Sequence, residues 1–175
     1  MSSVHRHRHH DPSKNLVGFV VGEVEYAVHI ARVKEIANPL DVVALPHPPP
    51  AVVGVADYRG EVVPVVDLRA RFGLAPAPAT RKTKWIVIDV SGRLVAIVVD
   101  AVTEVFGSAS AGLRPAPPLG KGDDLRGIAG VTGHGEGLVF VLDPGRLRDL
   151  TEPLAVAGKV GPSAVPPSLP EGGTP

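Results

Sequence analysis

The chain has 175 residues, 18 lysines and arginines against 18 aspartates and glutamates, and no cysteine. That length suits one domain, or two very small domains that share a core. Zero net charge removes the electrostatic footprint of a nucleic-acid binder, and the lack of cysteine excludes disulfides and thiol chemistry. No apolar run approaches the ~20 residues that span a bilayer, so we expect a soluble cytoplasmic protein without direct membrane insertion.

Both ends of the chain differ in composition from the body between them. Residues 1–15 are rich in histidine and arginine, and residues 151–175 are rich in proline and glycine. Neither segment can bury enough apolar surface to offset its ordering entropy, so we predict two disordered tails around a folded body of residues 16–150. A solvated end is favoured over a metal site for the four tail histidines, which are His5, His7, His9 and His10.

The body consists mainly of short strands, because its apolar residues alternate or run continuously and a fifth of the chain is valine or isoleucine. Only two helical turns are predicted, at 50–53 and at 144–150, the second because proline suits the first turn of a helix. The fold class is therefore all-β. In chain order, the strands are predicted at 16–21, 24–30, 33–36, 52–56, 61–67, 84–90, 93–100, 101–106 and 138–142.

An internal repeat runs through the body. A shift of 69 residues aligns 27–36 with 96–105 at six aliphatic or acidic positions. A slightly larger shift then aligns Gly54-Val55-Ala56 with Gly127-Ile128-Ala129. The repeat predicts two copies of a small five-stranded β unit.

Two small units are expected to support each other. A five-stranded unit of about 60 residues is marginal alone, so the two should pack together and share apolar residues. The predicted architecture is two five-stranded β-barrel subdomains around a shared hydrophobic core. We assign the two halves to residues of about 16–80 and 81–150.

No arrangement of residues in the body predicts an active site. Asp67, Asp100 and Asp143 each end a strand where the chain turns, and capping of backbone N–H groups is favoured there over acid–base chemistry. The three body histidines lack metal-ligand spacing, and the glycine-rich segment 127–137 is interpreted as a hairpin rather than a phosphate loop. We therefore predict no catalytic residue, no metal and no cofactor.

The segment 56–74 is typical of a recognition turn. Gly60 permits a tight turn that projects Arg59 from the end of a strand, where its guanidinium can hold a carboxylate. An intramolecular pair between Arg59 and Glu35 is an equally favoured alternative. The single tryptophan, Trp85, opens a strand, and core packing is slightly favoured over a position at a protein interface.

Six motifs follow one another along the body. They are L-V-G-F-V-V-G-E-V-E-Y-A-V-H-I (16–30), V-K-E-I (33–36), L-P-H-P-P (45–49), V-V-G-V-A-D-Y-R-G-E-V-V-P-V-V-D-L-R (52–69), V-V-D-A-V-T-E-V (98–105) and V-L-D-P-G-R-L (141–147). In this order they resemble the CheW-like coupling proteins of bacterial chemosensory systems, over about residues 16–150. One departure is Asp57, which stands where the family usually has asparagine in an N-x-R-G turn.

The resemblance implies both a fold and a function. Members of this family have two SH3-like five-stranded barrels and no enzymatic activity. They are adaptors that couple the cytoplasmic tip of methyl-accepting chemoreceptors to the regulatory domain of a CheA-type histidine kinase. We accordingly expect a cytoplasmic protein that is recruited to membrane-associated receptor arrays.

Site residues follow from the same resemblance. The groove that takes the receptor should contain aliphatic residues, with Glu35 and Arg59 at its edge. Trp85 and Val102 are further candidates for an interface, whereas Gly60 and the three strand-end aspartates are assigned to turns. The full predicted groove is Ile30, Val33, Glu35, Ile36 and Arg59.

Two alternatives remain. The nearer one is a CheW-like scaffold of a chemosensory pathway that controls surface motility, pili or development. The remote one is a small β-barrel hydrolase that uses Asp67 or Asp143.

Overall fold

The computed structural model describes residues 14–107, 112–118 and 127–147. Within them lie one short helix, α1 (Leu68–Arg71), and two 3-10 turns, Ile30–Arg32 and Pro144–Leu147. The strands are β1 (Asn15–Val21), β2 (Val24–His29), β3 (Val33–Ala37), β4 (Val52–Tyr58), β5 (Glu61–Asp67), β6 (Lys84–Val90), β7 (Arg93–Val99), β8 (Ala101–Gly107), β9 (Ile128–His134) and β10 (Gly137–Leu142).

The all-β prediction is confirmed, with differences at the ends of the elements. The glycine-rich segment is a hairpin, β9–β10, as interpreted. The helical turn predicted at 50–53 is wrong: Ala51 has φ 68°, a left-handed value that stops a helix, and β4 begins at the next residue. Helix α1 was not predicted. The predicted tails lie outside the described residues, except for Lys14 and for Asn15, which opens β1.

In the part of the chain that the structure describes, ten strands form two sheets that each curl around a small apolar cluster. Barrel A has the strand order β8-β1-β2-β10-β9, and barrel B has the order β3-β6-β7-β5-β4. Each barrel therefore combines strands from both sequence halves, so the predicted division into barrels at about residue 80 is wrong. The chain crosses between the barrels after β2 and again after β7. As a result, the third strand of each repeat pairs with the first strand of the other repeat: β3 pairs with β6, and β8 pairs with β1.

The residue pairs in these two exchanged strand pairings follow the sequence repeat. Phe19 of β1 pairs with Val102 of β8, and 69 residues away Ile88 of β6 pairs with Val33 of β3. Both pairings also carry a bulge at the same position. The repeat is thus a pseudo-twofold relation between the two barrels, and backbone hydrogen bonds tie together two units that would be marginal alone.

The later hairpins match at an offset of 76 residues. Gly54 pairs with Val65, and Gly130 pairs with Val141, so the earlier alignment of 54–56 with 127–129 is wrong and 130–132 takes its place. A Cβ atom at either glycine would overlap a carbonyl oxygen of a crossing segment. Both positions require glycine because another backbone passes too closely for any side chain.

Three apolar clusters hold the fold together. The shared cluster lies between the barrels and includes Phe19, Ile88 and Ile97, which are fully buried. Each fully buried side chain of this kind contributes about 1.5–3 kcal/mol by leaving water. Barrel B has its own cluster around Trp85, and barrel A has its own around Leu16, the residue that corresponds to Trp85 in the repeat. The shared core is confirmed.

Trp85 belongs to this core. Its side chain is 3% exposed and packs in the cluster of barrel B with Val63 and Tyr58. The core interpretation is confirmed, and the interface alternative is wrong because almost no surface of the ring is open to a partner.

Candidate protein-interaction site

The β4–β5 turn presents Arg59 at the end of barrel B. Arg59 has φ 54° and Gly60 has φ 82°, and Asp57 accepts a 2.7 Å hydrogen bond from the Gly60 N–H. Asp57 therefore supports the turn as the family's asparagine would be expected to do. A left-handed conformation costs a non-glycine residue about 1–2 kcal/mol, and the equivalent turn position in barrel A is Gly135. Arg59 carries strain at a position where glycine would carry none, which indicates that its side chain has a role.

Arg59 belongs to a three-residue cluster. Its Nη2 atom lies 2.7 Å from Oε2 of Glu35, and the Tyr58 hydroxyl donates a hydrogen bond to the same oxygen. The guanidinium carbon also lies 5.4 Å from the centre of the Tyr58 ring. The predicted intramolecular pair between Arg59 and Glu35 is confirmed. The arginine side chain nonetheless remains 73% exposed, so it can meet a partner as well.

Hydrogen bonding fixes the charge states of this cluster. The Tyr58 hydroxyl lowers the pKa of Glu35, and the Arg59 guanidinium lowers it further. The same hydrogen bond to Glu35 raises the pKa of Tyr58, and desolvation of the phenol adds to the effect. At neutral pH the cluster is therefore an ionised carboxylate held between a neutral phenol and a cation. We call Glu35, Tyr58 and Arg59 the Arg59 end.

A second surface lies where the barrels meet. Ile30, Val33 and Val102 are half-buried and pack against the shared cluster. The 3-10 turn Ile30–Arg32 contacts both β1 and β6, so it spans the junction between the barrels. An apolar strip that is only partly covered can accept aliphatic side chains from another protein.

The predicted groove consists of two surfaces rather than one. Val33 lies opposite Ile88 of the shared cluster, whereas Glu35 lies opposite Val87 of the barrel B cluster. Residues directly opposite on paired strands share a face, so Val33 and Glu35 lie on opposite faces of β3. Simple alternation would place both on one face, but a bulge between them changes the parity.

Ile36 belongs with Val33. It lies opposite Ile86 of the shared cluster and is 40% exposed. The prediction that Glu35 and Arg59 border this strip is therefore corrected: they lie on the other face of β3. We call Ile30, Val33, Ile36 and Val102 the groove strip.

Sequence reasoning missed Tyr58 and the exposed valines near it. Val62 is 70% exposed on the β4–β5 hairpin, and Val43 is 66% exposed on a segment that bridges to β4. The signal for Val62 was present, because alternation along β5 turns it away from buried Val63. Tyr58 gave no such signal, since its partner Glu35 lies on a strand distant in sequence.

The strand-end aspartates serve the backbone. Asp67 caps α1 by accepting a 2.8 Å hydrogen bond from the Arg69 N–H, and Asp143 accepts one from the N–H two residues on. Asp100 accepts a hydrogen bond from the Gly22 N–H and pairs with Arg69 at 2.5 Å. The capping interpretation is confirmed for all three.

The structure gives two further findings for residues 14–107, 112–118 and 127–147. No helix there is long and apolar enough to cross a membrane. No three acidic or histidine side chains in those ranges lie close enough together to hold a metal ion. The tail histidines lie outside the ranges.

Two joined barrels with exposed apolar and charged surfaces, and with carboxylates committed to backbone caps, define a protein-binding scaffold. The CheW-like domain model matches residues 15–152. This chain belongs to the CheW-like family, whose members are non-enzymatic scaffold proteins of chemotaxis.

Individual relatives agree with the family. The chemotaxis protein CheW of Rhizobium meliloti is 33% identical over 124 residues, which are 69% of this chain and 80% of that protein. The scaffolding protein TtCheW of Thermoanaerobacter tengcongensis superposes with a TM-score of 0.69 at 27% identity, covering 79% of this chain and 90% of that one. FrzA of Myxococcus xanthus is 30% identical over 131 residues, covering 73% of this chain and 81% of FrzA.

Proposed function

We propose that this chain couples methyl-accepting chemoreceptors to a CheA-type histidine kinase within membrane-associated arrays. In this proposal the groove strip binds the receptor's cytoplasmic tip, and a separate surface binds the kinase regulatory domain. The observation that carries it is the half-buried strip of Ile30, Val33 and Val102 at the junction of the barrels. A groove of this kind suits the aliphatic face of a helix.

Val33 is the residue through which the proposal is best tested. A carboxylate introduced there would be buried without a partner once a receptor helix covers the strip. The cost is several kcal/mol, comparable to the whole affinity of a weak contact. We expect Val33→Glu to abolish receptor binding and to leave kinase-domain binding nearly unchanged.

The experiment titrates each variant against an isolated receptor tip and, separately, against the kinase regulatory domain. Lys34→Glu is the matched control, because Lys34 is the exposed neighbour of Val33 on the same strand. Circular dichroism confirms folding. Normal receptor binding by a folded Val33→Glu chain would mean that the receptor site lies elsewhere.

Arg59 is expected to have a graded role. Arg59 lies away from the groove strip and is 73% exposed, and an exposed charge outside the buried part of an interface contributes mainly to orientation and association rate. Arg59→Ala should therefore weaken receptor control of kinase activity more than it weakens either binary contact. The measurement is kinase autophosphorylation with and without receptor, beside the two binding titrations.

The similarity to FrzA supports a second candidate. In it, the chain is a CheW-like scaffold of a chemosensory pathway that controls surface motility, pili or development. Deletion of the gene distinguishes the two: loss of directed swimming supports the first candidate, and loss of surface movement with normal swimming supports the second. A hydrolase that uses Asp67 or Asp143 is not proposed, because both carboxylates are committed to backbone caps.

A further inference from the structure

An open cavity of about 550 Å³ lies beside the β1–β2 turn. The rings of Tyr26, Phe72 and Phe140 line it, so three of the seven aromatic residues of the chain meet there. The ring centres of Phe72 and Phe140 lie 4.9 and 6.0 Å from that of Tyr26. Among the described residues, those that line the cavity belong to neither the groove strip nor the Arg59 end. We call it the aromatic cavity.

The rim of the aromatic cavity is apolar and held in place. Val24 and Leu74 line it and are 38% and 39% exposed. Asp100 accepts a hydrogen bond from the Gly22 N–H and pairs with Arg69, which ties the β1–β2 turn to α1. Arg69 Nε also donates a 3.0 Å hydrogen bond to the carbonyl oxygen two residues after Phe72 plus one, at the segment that carries Leu74. A rim fixed in this way loses little conformational entropy when it binds.

The fold does not require aromatic rings at these positions. The 69-residue offset relates Tyr26 to Val95, and the 76-residue offset relates Phe140 to Pro64. Barrel B therefore builds the same strand pairing without a ring at either position. The gathering of rings in one open cavity of barrel A favours a role in binding.

The described chain ends beside the aromatic cavity. Arg71 Nη2 donates a 3.2 Å hydrogen bond to the carbonyl oxygen of Arg146, and Arg71 immediately precedes Phe72. Leu147, the last described residue, packs in the shared cluster that Phe72 also contacts. A flexible chain of about 20 residues spans about 25 Å, so a segment that far beyond Leu147 remains near the cavity at a high local concentration.

The sequence at that distance suits aromatic rings. Residues 162–171 read P-S-A-V-P-P-S-L-P-E and lie outside the described residues. A polyproline helix has three residues per turn, so Pro167 and Pro170 lie on one face of it. Aromatic-lined grooves bind such segments, and proline fixes φ in advance, so docking costs less entropy than it would elsewhere in the tail.

We propose that the segment 162–171 docks in the aromatic cavity of its own chain, with Pro167 and Pro170 against the three rings. Charge agrees with this occupant. Glu171 is the only charged residue after Lys159 in the sequence, and Arg69 lines the cavity with its side chain 23% exposed. The contact leaves the groove strip free for a partner protein.

A spin label on the tail tests the proposal on the full chain. Because the chain has no cysteine, Thr174→Cys gives a single attachment site for a nitroxide close to the segment. Nuclear magnetic resonance then reports which amide signals the nitroxide broadens. We expect the amides of Val24 and Leu74 to lose most of their intensity. The amide of Val62, at the far end of β5 from α1, should keep its intensity.

Substitutions on both sides of the contact give matched controls. Replacing both Pro167 and Pro170 with glycine should restore the signals at the cavity rim, whereas Pro153→Gly, in the same tail but outside the segment, should not. Leu74→Ser should release the segment as well. Val62→Ser removes an exposed aliphatic side chain elsewhere and should have no effect. Circular dichroism confirms that each variant is folded.

Mixing two samples separates docking within one chain from docking between copies. A spin-labelled chain without isotope is added to an isotope-labelled chain without the nitroxide, and we expect no broadening. Broadening in this mixture would assign the contact to a second copy and overturn the proposal. Unchanged signals at the rim of the singly labelled chain would also overturn it. So would broadening that persists when Pro167 and Pro170 are both glycine.

Discussion

The Arg59 end has a counterpart on barrel A that consists of Glu104, His134 and Gly135, which we call the Glu104 end. The two ends lie at matching positions of the two barrels but hold their carboxylates differently. At the Arg59 end, a phenol that is 6% exposed and a cation both contact Glu35. At the Glu104 end, an imidazole contacts a carboxylate that is twice as exposed. The comparison teaches that the repeat preserves strand register and the two-residue length of the turn, while side chains at corresponding positions diverge to give two unlike surfaces.

The largest effect should come from the two glycines that admit a crossing backbone. Gly54→Ala should destabilise by about 3 kcal/mol, because the new Cβ overlaps a carbonyl oxygen and the φ of 153° disfavours a side chain. Gly130→Ala should cost somewhat less, since its φ lies outside the left-handed region. Urea unfolding measures both.

Gly60→Ala is the matched control for these two. Its φ of 82° carries the conformational penalty, but no atom lies within 4 Å of a new Cβ. The expected loss is about 1 kcal/mol. Equal losses at Gly54 and Gly60 would contradict the close backbone crossing.

The next effect concerns the groups that position the carboxylates. Tyr58→Phe removes the hydrogen bond to Glu35 and should lower the melting temperature by about 2–4 °C. His134→Leu should lower it less, because His134 is 26% exposed and Glu104 is well solvated. A larger fall for His134→Leu would show that the Glu104 end is the more tightly packed of the two.

Lowering the pH should remove a stabilising contribution that Glu35 makes at the Arg59 end. The pKa of Glu35 is lower in the folded chain than its ordinary value of 4.5, so its stabilising contribution is present above pH 4.5 and lost as the pH falls through the folded value. In Tyr58→Phe this acid-dependent loss should shrink, because the Tyr58 hydroxyl is the largest cause of the lowered pKa. Thermal unfolding between about pH 6 and 3 tests this, and identical pH profiles would contradict it.

The smallest effect on stability should come from Arg59→Gly. Relief of the left-handed strain offsets the loss of an exposed ion pair, so the melting temperature should stay within ~2 °C of the original. Receptor control of the kinase should nevertheless fall. A large loss of stability would indicate that Arg59 supports the fold rather than binding.

Much of the fold could be predicted from the sequence. Strands β5 and β6 begin and end where alternation and turn residues place them, and Asp67 and Asp143 cap the turns that follow their strands. Asp100 instead accepts the N–H of Gly22, in a turn distant in sequence. The pair between Arg59 and Glu35 was one of two open alternatives. The strand ends and the caps of Asp67 and Asp143 depend on neighbours a few positions away, whereas the pair between Arg59 and Glu35 joins residues that are distant in sequence.

The groove was harder to predict. Ile30 and Val33 were predicted to line it and are half-buried against the shared cluster, whereas Glu35, which was predicted at its edge, lies on the other face of β3. A single bulge between Val33 and Glu35 reverses the face to which each later side chain of β3 points. The residue types at that position do not indicate a bulge.

The sequence by itself determined most of the strands, the repeat, the turn at Arg59 and the difference in composition between the two terminal segments and the body. All of these follow from periodicity and turn chemistry, which act over a few residues. Tertiary structure decided that β3 and β8 exchange barrels, that Gly54 corresponds to Gly130, and that Glu35 turns away from Val33. The physical reason is that a strand's own sequence fixes which face is apolar, whereas its pairing partner depends on the packing of the whole chain.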